Sequence, residues 1–144
     1  MYLDSAILVK LVVREQDSDF YADLVEGQFA VCSSELAIVE CRSALLRKKE
    51  QGQIDTRTCN GAWARLRAHW SSGGGLVLHP VTLAVLQEAG EIIQRCMGHA
   101  PLRSLDAIHI ASCHRSRTYP LVTNDGIMRS AADALGLPLS KMPV

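Results

Sequence analysis

Short apolar runs, each ended abruptly and followed by a longer segment of helical periodicity, dominate this sequence. Met1 to Leu3, Phe29 to Cys32, Leu76 to Leu78 and Leu121 to Thr123 read as buried strands. Between them, apolar residues recur at helical spacing. Ser5 caps a helix carrying Ile7, Leu8, Leu11 and Val12, and Ser18 to Glu26 turns Phe20, Leu24 and Val25 inward before Gly27 stops it. Ser33 or Ser34 caps a helix through Leu36, Val39, Ala44 and Leu45 to Lys49, with Gly52 just beyond. Asp55 or Thr56 opens the next, with Trp63, Leu66 and Trp70 near one face, and Ser71 to Gly75 reads as a flexible connector. Helices follow over Thr82 to Met97, Leu102 to Arg115 and Gly126 to Leu135, and Leu139 to Met142 reads as an edge strand beside Pro138 and Pro143. Strands separated by helices cannot pair as hairpins. They predict an α/β fold whose parallel central sheet of about five strands carries helices on both faces.

With 144 residues, the chain suits one domain over residues 1–144. Hydrophobic residues make up 48% and charged residues 21%, which excludes wholesale disorder. Fifteen Lys and Arg balance fifteen Asp and Glu, so the chain is not a globally basic nucleic-acid binder. Asp4 and Lys10 break the first apolar stretch and no basic segment precedes it, which argues against a targeting peptide. No apolar run approaches the roughly 18 residues of a membrane span. The five cysteines, Cys32, Cys41, Cys59, Cys96 and Cys113, are odd in number and form no Cys-x-x-Cys pair. A disulfide framework and a zinc knuckle are therefore not indicated, and small buried thiols in a reducing, cytoplasmic setting are expected.

In a parallel α/β sheet, ligands bind beyond the carboxyl ends of the strands. Asp4 follows the first strand and Asn124-Asp125 the fourth. Two more acids sit alone in apolar helical runs: Glu40 in Leu36-Ala37-Ile38-Val39-Glu40-Cys41, and Asp106 in Leu105-Asp106-Ala107-Ile108-His109-Ile110-Ala111. An isolated buried carboxylate is costly, so each must be paired, neutralised or bound to metal. A structural ion pair would satisfy either acid alone. Four carboxylates converging at one sheet edge would repel strongly, and make sense around a hard divalent cation that takes oxygen ligands.

With these residues in place, the chain resembles the PIN-domain ribonucleases, specifically the VapC toxins of type II toxin–antitoxin systems. The resemblance rests on four blocks in order: Tyr2-Leu3-Asp4-Ser5-Ala6-Ile7-Leu8-Val9-Lys10-Leu11, Glu40-Cys41-Arg42-Ser43-Ala44-Leu45, Leu105 to Ala111 as given above, and Leu121-Val122-Thr123-Asn124-Asp125. It implies a three-layer α/β/α sandwich. It also implies that Asp4, Glu40, Asp106 and Asp125 form an acidic quartet for Mg²⁺ or Mn²⁺, with Asp4, Asp106 and Asp125 as the metal ligands. Thr123 matches the family's small hydroxyl residue two before the last acid, and Ser5 is expected beside it behind the carboxylates. The implied reaction is divalent-metal-dependent hydrolysis of tRNA or rRNA loops by water, leaving a 5′-phosphate and a 3′-hydroxyl. Glu40 would orient the attacking water or accept its proton. Further implied are a homodimer and a cognate VapB-type antitoxin that inserts a basic side chain among the acids.

If metal masks the four acids, the rest of the chain carries a formal excess of four positive charges. Arg14, Arg42 and Arg103 are the candidate phosphate contacts on the resulting rim. Arg47-Lys48-Lys49 is read as a helix end that attracts cations regardless of function. His109 shares a helix face with Asp106, three residues on, and is read as a packing histidine because hard cations prefer oxygen. Trp63, Leu66 and Trp70 fit a packing stripe. Gly73-Gly74-Gly75 lacks the Gly-Lys-Ser/Thr of a phosphate-binding loop. A receiver-like domain would want a lysine after a late strand, and a haloacid-type phosphatase an acid at position 6; neither is present. The competing reading is a non-catalytic PIN-fold module that binds RNA or a partner.

Overall fold

The computed structural model describes all residues, Met1–Val144. Four strands form one parallel sheet: β1 (Tyr2–Leu3), β2 (Val31–Ser34), β3 (Leu76–His79) and β4 (Leu121–Val122), in the order β3-β2-β1-β4. Seven helices connect and flank them: α1 (Ser5–Val12), α2 (Ser18–Val25), α3 (Leu36–Glu50), α4 (Thr56–Trp70), α5 (Leu83–Cys96), α6 (Ser104–Ser116) and α7 (Gly126–Ala134). None is long and apolar enough to cross a membrane.

Strand alternation divides the core into two layers. Leu3 and Val122 point to one face, where they meet Ile7, Val12, Ala37, Cys41, Leu45, Cys59, Ala62 and Leu66 from α1, α3 and α4. Tyr2 and Leu121, one residue earlier in each strand, point to the other, where they meet Ala89, Ile92, Ala107, Ile110, Ala111, Met128 and Ala131 from α5, α6 and α7. A two-residue strand thus supplies both halves of a three-layer α/β/α sandwich. All five cysteines are buried free thiols.

The helix starts are fixed by side chains. Asp4 rather than Ser5 caps α1, its Oδ1 accepting the Ile7 N–H at 2.9 Å. Asp55 caps α4 through Thr58, Thr82 caps α5 through Val85, and Asp125 caps α7 through both Ile127 and Met128.

Four further sequence expectations need correction. Strand β2 is shifted to Val31–Ser34 from the expected Phe29 to Cys32, leaving Phe29 fully exposed. Ser33 and Ser34 are 0% exposed because their hydroxyls are satisfied. Ser33 donates to the Leu3 carbonyl at 2.7 Å, and Ser34 accepts the Leu36 N–H at 3.1 Å. The expected fifth strand shrinks to a single parallel bridge, Leu121 to Leu139, since Pro138 and Pro143 have no N–H to extend it. In α2 the expected Phe20, Leu24 and Val25 do pack against the core but stay partly covered, and the fully buried residues are Ser18 and Tyr21, which the pattern missed. The Ser71 to Gly75 connector is a tight turn in which Gly74 donates to the Ser71 carbonyl at 2.9 Å.

Candidate metal and RNA site

All four sheet strands run the same way, so their carboxyl ends share one edge. A cleft of about 830 Å³ opens there, and Asp4, Glu40, Asp106 and Asp125 all line it. Asp4 emerges directly from β1, and Asp125 lies three residues beyond β4, the neighbouring strand. Glu40 comes from the second turn of α3 and Asp106 from the first turn of α6.

Asp4 is only 4% exposed. Burial pushes its carboxyl above the ordinary value, opposed by hydrogen bonding to Thr123 and Ile7 and by the nearby His109 ring, and reinforced by the charge of Glu40. Its carboxylate therefore lacks the full compensation a buried charge requires. Glu40 is half-buried and goes the other way. Burial would raise its carboxyl, but the hydrogen bond and charge of His109, the Ser5 hydroxyl and the Arg103 charge together hold it below the usual range. The two carboxyls are thus shifted in opposite directions, Asp4 upward and Glu40 downward.

Behind the acids stand hydroxyls. Ser5 Oγ donates to Glu40 Oε1 at 2.7 Å. Thr123, buried beneath Asp125, accepts that residue's backbone N–H at 3.1 Å.

Of the three arginines expected on the rim, only Arg103 lies in the cleft. Its Nε donates to Asp106 Oδ2 at 2.9 Å, and its Nη2 lies 3.8 Å from Asp125 Oδ2. The side chain is otherwise 77% exposed, and ion pairs of that kind contribute about 0–1 kcal/mol. Arg14 instead pairs with Asp19 on the exposed surface, outside the cleft. Arg42 turns away and lies 5.2 Å above the Trp63 ring, because a residue two on from Glu40 faces a different side of α3. Trp63 in turn packs edge-on against Trp70.

Two groups set aside in the sequence do reach the cleft. Arg47 and Lys48 follow Glu40, Ser43 and Ala44 along one face of α3 at spacings of three, four, seven and eight, and all five line the cleft wall. Lys10 of α1 joins them, and Lys10 and Lys48 share the single carboxylate of Glu15. That half of the cleft keeps a positive excess. His109 is the second group: 2% exposed, it packs edge-on against Tyr2 as a core residue would, and its Nε2 also lies 2.6 Å from Glu40 Oε1. Its spacing from Asp106 was the available signal for the shared face; nothing in the sequence pointed to Glu40.

A divalent metal fits this set in donor chemistry. The lining offers carboxylate oxygens from four elements, and the Arg103 guanidinium already sits between two of them as a cation. As the side chains stand, no three acidic, imidazole or thiol groups converge closely enough to enclose an ion.

This fold and edge of acids define a class, and comparison with known proteins agrees. The family model described as "PIN domain" matches residues 1–134, and the chain belongs to that family. It is 37% identical over 139 residues to Ribonuclease VapC46 of Mycobacterium tuberculosis (strain ATCC 25618 / H37Rv), covering 95% of this chain and 93% of that protein. Among solved structures it resembles Mycobacterium tuberculosis VapC20, described as a sarcin-ricin loop cleaving toxin. The TM-score is 0.74, with 98% of both chains covered. At 17% identity that likeness speaks to the fold alone.

Proposed function

We propose that the protein is a divalent-metal-dependent endoribonuclease that acts as the toxin of a toxin–antitoxin pair. The observation that carries this reading is the gathering of Asp4, Glu40, Asp106 and Asp125 on one cleft at the carboxyl ends of the strands. The 37% identity to a named ribonuclease over nearly the whole chain supports it.

Asp4, Asp106 and Asp125 would hold Mg²⁺ or Mn²⁺, which supplies charge neutralisation at the phosphate and a more acidic bound water. Asp4 is pre-set by its cap bond to Ile7, and Asp125 by its two cap bonds in α7. Glu40, held ionised, orients the attacking water through an oxygen that accepts its hydrogen. Its lowered affinity for a proton favours this role over that of a strong base. Arg103, exposed at the mouth, would give up the carboxylates to a cation held there and be free to reach a phosphate oxygen. Lys10, Arg47 and Lys48 seat the flanking backbone. Arg47 lies about 10 Å along α3 from Glu40, counting seven residues at the usual helical rise.

A structured RNA such as a tRNA or rRNA loop is the substrate class, in the cytoplasm where those RNAs are. A VapB-type antitoxin would block the acids with its own basic side chain, competing with Arg103. A homodimer completes the reading.

Inducible expression in a bacterial host tests it. Wild type is expected to arrest growth and to generate new 5′-phosphate RNA ends at defined loops; an Asp4→Asn, Asp106→Asn double variant of equal abundance does neither. Growth and RNA ends identical for the two proteins would refute a catalytic toxin and favour the non-catalytic binding module.

A further inference from the structure

His109 is the one buried imidazole on the cleft, and its two nitrogens face different partners. Nε2 lies 2.6 Å from Glu40 Oε1, and Nδ1 lies 2.9 Å from the Tyr2 hydroxyl. An ionised carboxylate only accepts hydrogen bonds, so Nε2 carries the proton and donates it to Glu40. In the neutral ring, Nδ1 is then an acceptor, and the Tyr2 O–H donates to it. Tyr2 is 0% exposed in β1, at the centre of the sheet. It cannot move without moving the core. Ser5 Oγ donates to the same Glu40 oxygen at 2.7 Å. Both bonds therefore land on Oε1, and Oε2 receives none.

We propose that His109, fixed in its Nε2–H tautomer by Tyr2, is a positioning residue that clamps Glu40 by Oε1 and thereby presents Oε2 to the cleft. The chain of contacts joins three distant segments: Tyr2 in β1, His109 in α6 and Glu40 in α3. It transmits the rigidity of the central strand to the one acid of the quartet that stands on the open side of a long helix. Groups placed like this behind a reactive carboxylate typically change activity by about 10–100-fold when removed.

The role rests on the nuclease reading, and the test separates the two. Four variants are compared with wild type: His109→Leu, His109→Gln, Tyr2→Phe and Glu40→Gln. His109→Leu is expected to lower kcat on RNA about 10–100-fold with KM within twofold of wild type. His109→Gln, whose amide N–H can stand near the Nε2 position, recovers part of the loss. Tyr2→Phe loses a few-fold. Adding His109→Leu to Glu40→Gln produces no further drop, because the histidine acts through the acid. Multiplicative losses in the double variant, or wild-type kcat in His109→Leu, would overturn the proposal.

Nitrogen-15 NMR of the imidazole supplies a readout independent of activity. The expected spectrum has Nε2 protonated and Nδ1 unprotonated in wild type, with a mixture of tautomers in Tyr2→Phe. A protonated Nδ1 with bare Nε2 in wild type overturns the clamp. If wild-type protein does not cut RNA, the nuclease reading fails, and the NMR spectrum decides the clamp. Should His109→Leu fail to fold, Tyr2→Phe and His109→Gln carry the kinetic test.

Discussion

Replacing Asp4 by Asn is expected to make the metal-free protein more stable while destroying its response to metal. The two effects come from different atoms of one side chain. Oδ1 caps α1 through the Ile7 N–H at 2.9 Å, and an Asn carbonyl accepts the same bond. Asn and Asp are near-equal caps, worth about 1 kcal/mol over Ala. What Asn removes is a charge that is 4% exposed and that burial disfavours. Asp4→Ala also removes the charge but loses the cap. It is therefore expected to melt about 3 °C below Asp4→Asn, taking about 3 °C per kcal/mol at this chain length. The pH dependence has a definite sign. The Asp4 carboxyl is raised in the folded protein, so as pH falls through that folded value the native state takes up a proton the unfolded chain does not yet bind. Wild type gains on Asp4→Asn in that window, and the gap closes near the ordinary carboxylate value of 3.8. At neutral pH the gap is fully present. Mn²⁺ reverses the order: at 100 times its dissociation constant it adds about 2.7 kcal/mol, or about 8 °C, to wild type and little to the variant. Thermal unfolding by circular dichroism, in EDTA and in Mn²⁺, from pH 4 to 8, reads all of this. An Asp4→Asn protein that melts well below wild type in EDTA would show that the Asp4 charge is not a burden, and one that rises with Mn²⁺ as wild type does would show that Asp4 does not hold the metal.

Other outcomes follow from the same geometry. In a cleavage-dead background, Arg47→Gln with Lys48→Gln should flatten the salt dependence of single-stranded RNA binding by about 1.4 in log–log slope, at about 0.7 per phosphate contact; an unchanged slope would remove them from the RNA path. Gly74→Ala should lower the melting temperature by several degrees, because a β-carbon there would collide with the Ala68 and His69 carbonyls; an unchanged midpoint would mean the turn is looser than it looks. Cys41 and Cys113, both buried and with thiols pushed up to about 12 by burial, should resist alkylation at pH 8 until the protein unfolds, as read by mass spectrometry.

The sequence made some of this legible because the relevant physics is local. Short apolar runs ended by Asp4 and by Asn124-Asp125 put two acids at strand ends, and the lone charges at Glu40 and Asp106 stood out within apolar helices. The strand β2 register was not legible. Ser33 and Ser34 look like helix caps, and it is pairing with Leu78 and His79 of β3, some 45 residues away, that makes them strand residues. Arg42 leaves the expected rim because its partner, Trp63, lies on another helix. Arg47 and Lys48 share a helix face with Glu40, which spacing alone showed, but which helix face borders the cleft depends on how α3 packs on α1. His109 was half legible: its burial followed from the apolar run, whereas its bonds to Glu40 and Tyr2 span 69 and 107 residues.

Metal-dependent catalysis at the acidic cleft is read by cleavage of a defined RNA by purified protein, first stripped with EDTA and then titrated with Mn²⁺. No cutting is expected in EDTA; with Mn²⁺ cutting returns and leaves 5′-phosphate ends, and with Asp106→Asn there is none at any Mn²⁺ concentration. Cutting that persists in EDTA, or that survives loss of the Asp106 charge, would contradict metal-dependent catalysis at this site.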